Sequence, residues 1–113
     1  MEKYTLRFRA VNKDTFLDIK FGKKTVETRA ATERYQNIKA GDILVLSCGK
    51  QKFEKKVKKA KIFKSIKALT TAYSIKKIMP DIASEKELRN AYYSYPSYKE
   101  KIKKFGLIAL ELK

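Results

Sequence analysis

Histidine is absent from this chain and cysteine occurs once. The first absence removes the commonest general base and the commonest metal ligand. The second excludes an internal disulfide and any multi-cysteine zinc site, leaving Cys48, inside an apolar run, as a buried structural thiol. No apolar stretch approaches the ~18 residues of a membrane span. The N-terminus also lacks the apolar segment of a signal peptide. A cytoplasmic protein that avoids membranes is the expectation. Internal repeats, linkers and low-complexity tails are missing too. Residues 1–113 therefore read as one domain, since domains most often run ~100–150 residues. A chain of this size holds a core and a shallow site but no separate cofactor domain; neither cofactor nor metal is expected.

Acids are scarce as well. Against 28 Lys and Arg stand 12 Asp and Glu, a formal charge of +16. Such a field draws in polyanions whatever the fold, which makes nucleic acid the leading partner class. The plainer reading of the same excess is solubility, because lysines also dominate ordinary solvated faces.

The patterning that is present describes a mixed α+β chain. Residues 4–10, YTLRFRA, alternate with period two: Tyr4, Leu6, Phe8 and Ala10 on one side, Thr5, Arg7 and Arg9 on the other. A helix follows, with Asn12 as its cap, Phe16 and Ile19 on its apolar side and Gly22 at its exit. Residues 25–30, TVETRA, form a second strand with Thr25, Glu27 and Arg29 on one face and Val26, Thr28 and Ala30 on the other. A turn at 40–42 leads into the apolar run ILVLSC. The next stretch, KFEKKVKKAKIF, slips its alternation between Val57 and Ala60, which predicts a long strand with a bulge.

One helix is predicted from a Ser65 cap up to Pro80. Ser84 and Glu87 make a capping box for another, whose stripe is Leu88, Ala91, Tyr92 and Tyr95, closed by Pro96. The apolar FGLIALEL ends the chain as a strand. The order is strand, helix, three strands, helices, strand: a small mixed barrel with helices around it.

Chemistry concentrates in GKKTVETR, residues 22–29. Glu27 and Arg29 lie about 7 Å apart on one strand face, two rises along, and Lys24 sits at the turn before them. Cations on both sides hold a carboxylate ionised, and an arginine fork suits phosphate or carboxylate. The alternative is a surface ion-pair ladder, worth ~0–1 kcal/mol per pair.

Read as Gly22-x-Lys24-x-x-Glu27-x-Arg29, this stretch resembles the signature of the ASCH family, a branch of the PUA-like fold. IKAGD at 38–42, KIMP before the capping box, YP at 95–96 and the FGLIALEL finish match further landmarks in order along the chain. The resemblance implies a small PUA-like mixed β-barrel with surrounding helices. It also implies a cleft faced by Lys24, Glu27 and Arg29, with Gly22 in the tight turn and Gly41 and Asp42 in a structural corner. Asp42 is expected to cap that corner rather than to touch a ligand. RNA or another single-stranded nucleic acid is the implied partner, and Lys24, Thr25, Glu27, Arg29 and Tyr98 are the implied contacts.

The alternative is a hydrolase, with Lys24 and Glu27 as its catalytic pair. One family branch removes the acetyl group from acetylated cytidine, and its lysine matches Lys24. Its nucleophilic threonine, however, falls where this chain has Glu27; Thr25 or Thr28 would need another geometry. Asp81 is the candidate counterpart of that branch's acidic residue. Ribonuclease activity is also described in the family, and there Glu27 would act as general base.

Two further clusters have two readings each. Nine lysines in residues 50–67, with Glu54 the one acid, either track a phosphate backbone or guard an exposed strand edge. In AYYSYPSY, Tyr92 and Tyr95 are expected in the core, while Tyr93 and Tyr98 are candidates for base stacking.

Overall fold

The computed structural model describes residues 1–113. The elements follow the expected order: β1 (Lys3–Phe8), α1 (Lys13–Lys20), β2 (Val26–Ala30), β3 (Ile43–Cys48) and β4 (Gln51–Phe63), then α2 (Ile66–Ala72), α3 (Ile75–Ile78), α4 (Glu85–Tyr93), α5 (Tyr98–Phe105) and β5 (Leu107–Leu112). In space the strands run β1-β3-β4-β5-β2. β1 lies parallel to β3, and every other neighbouring pair is antiparallel.

β4 holds the sheet together. Its first half pairs with β3 and its second with β5, and the register shifts between Val57 and Lys59. This is the bulge read from the slipped alternation. An extra residue bends a strand, and here the bend curls five strands into a half-barrel. β1 and β2 are the two ends of the sheet and do not pair. The seam between them stays open.

Each face of the curl has its own core. Inside it, Leu6, Leu44, Leu46, Val57, Ile108 and Leu110 pack with Phe16 and Ile19 of α1. Outside, the helices cover β2 and β5 through Val26, Leu107 and Ala109, which meet Leu69, Ile78, Leu88, Tyr92 and Ile102. That double cover explains why β5 reads as an unbroken apolar run rather than an alternating one. Asp42 ties the corner as expected, accepting from the Lys39 amide at 2.9 Å and the Glu2 amide at 3.0 Å.

Several expectations need correction. β4 is the middle strand, but each of its halves is paired on one side only, with β3 or with β5, so its lysines flank an unpaired side along each half and both readings of them stand. The helix predicted between Ser65 and Pro80 is two, because Tyr73 is extended (φ −129°, ψ 140°). The Tyr73 ring meets Phe63 edge-on and its hydroxyl donates to Glu111 at 2.5 Å. Those contacts win over a helix already weakened by β-branched Thr70 and Thr71. β1 stops at Phe8, and a 3-10 turn over Ala10–Asn12 follows, so Asn12 stands at the cap position without a side-chain cap bond. The capping box is half formed: Ser84 Oγ accepts from the Glu87 amide at 3.2 Å, while the Glu87 carboxylate meets the serine hydroxyl instead of its amide. α5 was not foreseen, although Tyr98, Ile102 and Phe105 carry the i, i+4, i+7 signal. No helix is long and apolar enough to cross a membrane.

Candidate functional site

Cross-strand partners share a sheet face. Glu27 pairs with Leu110 and Arg29 with Ile108, so both charged side chains point into the curl. Lys24 joins them from the turn after α1, which Gly22 makes at φ +83°, a conformation glycine adopts without a Cβ penalty.

Lys24 and Glu27 are only 2% and 4% exposed. That rules out the surface ladder. The Lys24 ammonium donates to the Ile78 carbonyl at the end of α3 and lies 3.3 Å from Glu27 Oε1. The same oxygen accepts from the Thr28 amide at 3.0 Å, and Arg29 Nε reaches Glu27 Oε2 at 3.3 Å. The Arg29 guanidinium is further held 5.0 Å from the Phe8 ring centre and 5.7 Å from that of Tyr35. Splitting α2 from α3 thus has a local consequence, since the end of α3 supplies the carbonyl that anchors Lys24.

A cavity of about 280 Å³ opens above the trio, in the seam between β1 and β2 and under the α4–α5 turn. Four cations line it, Arg7, Arg9, Lys24 and Arg29, with Glu27 as the single carboxylate. Its apolar walls are Phe8, Met79, Tyr95, Pro96 and Tyr98. The Tyr95 and Tyr98 rings meet edge-on at 5.2 Å, and Tyr98 OH accepts from the free-edge amide of Ala30 at 3.4 Å.

Burial pulls the Lys24 pKa below its ordinary value, although Glu27 opposes that shift. Burial also works against the Arg29 charge, but Glu27, with Tyr35 and Tyr98, outweighs it and holds Arg29 above the usual arginine value. The phenols of Tyr92, Tyr95 and Tyr98 are all raised, chiefly by burial. Tyr73, outside the cavity, is pushed up to about 12 by burial and by its bond to Glu111.

A pH dependence follows from these shifts. A phenol whose folded pKa is raised stabilises the fold fully below its unfolded value. That stabilisation is lost as pH climbs through the folded value. The tyrosine contribution is therefore expected to hold up to about pH 10 and to decline toward about pH 12. Lys24 runs the other way, because its lowered pKa means the penalty for burying its charge fades as pH rises. Urea midpoints of wild type and Tyr73→Phe, measured across that interval, separate the two; the variant should show the shallower alkaline decline.

The sequence-predicted residues divide clearly. Lys24, Glu27, Arg29 and Tyr98 meet at one cavity. Thr25 does not; it precedes β2, is exposed, and lies outside the lining. Thr28 is on the opposite strand face, as its alternation requires, yet it borders the cavity because β2 is an edge strand, and its hydroxyl bonds the Tyr92 hydroxyl. Tyr95, expected in the core, is a wall residue, and Asp81 is exposed and outside. Arg7, Arg9 and Phe8 were missed. Their alternation showed a strand with two arginines on one side, but nothing local says that this strand ends beside β2.

The fold has solved counterparts. Over 100% of this chain and 98% of the other, the structure matches the crystal structure of hypothetical protein PH0355. The two share 28% identity and a TM-score of 0.84. That likeness runs the full length of both chains. The solution NMR structure of protein PF0455 from Pyrococcus furiosus matches 98% of this chain and 96% of its own, at 24% identity and a TM-score of 0.76, and shares the fold. No protein-family model and no curated protein matches the chain.

Proposed function

We propose that this chain is an ASCH-type, PUA-like domain that holds one nucleotide unit of a single-stranded RNA in the seam cavity. The observation that carries the reading is the buried Lys24–Glu27–Arg29 cluster at the floor of a concave, aromatic-walled, cation-rich site. A volume of about 280 Å³ falls at the lower bound of ligand pockets, ~300–1,000 Å³, which suits a base and its phosphate rather than a duplex.

Unused hydrogen-bonding capacity fits the same ligand. A carboxylate offers about four lone-pair sites, and Glu27 receives three donors, which leaves one for an exocyclic amine. Lys24 spends two of its ammonium donors on Ile78 and Glu27. Arg29 engages Glu27 through Nε, so its terminal nitrogens remain for phosphate. The tyrosine and phenylalanine walls supply stacking surface, worth roughly 1–3 kcal/mol per base.

Titration of labelled single-stranded RNA at several salt concentrations tests the reading. With three to five phosphates engaged, log affinity should fall against log salt with a slope of about −2 to −3.5. Arg29→Lys keeps the charge but loses the planar fork; the expected loss is about tenfold or more, the scale of a charge-assisted hydrogen bond. Binding that ignores salt, or none to any RNA at low salt, ends the proposal.

One observation favours a hydrolase as the second reading: burial moves Lys24 toward the neutral amine that a base requires, with the Thr28 hydroxyl in the same cavity. Against it, Lys24 is engaged as a donor to both of its partners. Incubation with acetylated cytidine and with labelled RNA decides the matter, since a binding domain leaves both intact.

A further inference from the structure

A second concavity lies on the far side of the α4–α5 pair, with a volume of about 270 Å³. Five cations line it, Lys64, Lys67, Arg89, Lys99 and Lys103, and no acid does. Only Arg89 has a carboxylate partner, Glu85 at 3.6 Å on its own helix. Tyr93 stands in the same lining, 39% exposed, with the Lys99 ammonium 5.7 Å from its ring centre. Tyr93 thus offers an exposed aromatic edge beside four lysines that have no carboxylate partner. The combination is what a single strand meets: charge for successive phosphates and a flat ring for a base.

Adjacent residues link this groove to the seam cavity. Tyr92 and Tyr98 line the cavity, while Tyr93 and Lys99 line the groove. About one helix diameter, ~10 Å, separates the two, a gap that a strand of several nucleotides spans and a single nucleotide does not.

We infer that the groove between α2 and the α4–α5 pair is a second binding site for single-stranded RNA, where Lys64, Lys67, Lys99 and Lys103 contact phosphates and Tyr93 stacks a base. This rests on the proposed reading only for the class of partner. A strand long enough to leave the cavity crosses α4–α5 and occupies both sites; a single nucleotide fills the cavity alone.

The test uses a labelled RNA dodecamer and a labelled mononucleotide with the full chain. All four lysines are exposed, so joint replacement by Gln leaves the core untouched. On the dodecamer the salt slope should become shallower by about 3, at ~0.7 per phosphate on a single strand. Across a fourfold rise in salt, wild type then loses about 50-fold more affinity than the variant. Tyr93→Ala should weaken the dodecamer about tenfold, and mononucleotide binding should be unchanged by either variant. A control removes the same charge elsewhere: Lys50, Lys52, Lys56 and Lys58, all exposed on β4 or just before it, each to Gln. If this control flattens the slope equally, the effect belongs to the overall field and the groove site is overturned. Unaltered dodecamer binding in the groove variant overturns it as well. Failure of the cavity reading looks different: mononucleotide binding would be absent and Arg29→Lys silent, while the dodecamer result still judges the groove.

Discussion

Replacing Glu27 with alanine is expected to lower the unfolding free energy by about 3–5 kcal/mol, the cost of removing one partner from a buried charge pair. Lys24 would keep its ammonium at 2% exposure with only the Ile78 carbonyl to meet it. Domains of this kind have roughly 5–15 kcal/mol of stability in total, so the loss should appear as a fall in Tm on the order of 10–20 °C. Thermal unfolding followed by circular dichroism measures it. A change under about 1 kcal/mol would show that the cluster is hydrated after all, and the buried floor of the cavity would have to be abandoned.

The same cluster lets stability and binding be pulled apart. Lys24→Met combined with Glu27→Leu removes both charges of the most buried pair and fills the space with apolar groups. Such exchanges are often neutral or stabilising, so the double variant should recover most of what Glu27→Ala loses. On the proposed function, RNA affinity should not recover, because the acceptor and one cation are gone. A purely structural cluster would give the opposite pattern, with binding intact whenever the fold is intact.

Gly106→Ala carries the second large effect. Gly106 turns the chain from α5 into β5 at φ +78° and ψ −167°, a region open essentially to glycine alone. A Cβ there would stand 2.4 Å from the Phe63 carbonyl oxygen, which is β4 backbone and cannot swing aside. The glycine carbonyl also accepts from the Ala31 amide at 2.9 Å, just past the end of β2. Backbone strain of ~1–3 kcal/mol adds to the clash, so a loss of about 3 kcal/mol or more is expected in urea denaturation. Gly22→Ala provides the contrast. Its φ is +83°, but nothing lies within 4 Å of the added Cβ, and only the left-handed penalty of ~1–2 kcal/mol should remain.

Much of the architecture was legible in local pattern. Alternation found β1 and β2 to within a residue or two, a continuous apolar run found β3, and the slipped alternation near Val57 located the bulge that curls the sheet. Asp42 as a corner cap followed from turn chemistry. The failures also have local causes. Ile66, Leu69 and Tyr73 form an apolar stripe that looks like one helix until the Tyr73 hydroxyl finds Glu111, thirty-eight residues away. That β4 changes partner midway, from β3 to β5, is likewise recognisable only once the chain has folded.

Within the candidate site, GKKTVETR gave Lys24, Glu27 and Arg29 together, since they share a single turn and strand. It did not give their burial. A strand with Glu27 and Arg29 on one face reads as half-solvated, whereas here that face turns inward beside Leu110 and Ile108. Nor did it give Arg7 and Arg9, or the role of Tyr95 as a wall rather than core.

The amino-acid order by itself determined the elements, the bulge and the charged trio, because each depends on residues within a few positions of one another. Tertiary structure alone decided that β1 and β2 end a curled sheet without pairing, and so leave a seam. Pairing of distant strands fixes which edges face each other, and no periodicity along the chain records that choice. The cavity, its four cations and its tyrosine walls exist because of it.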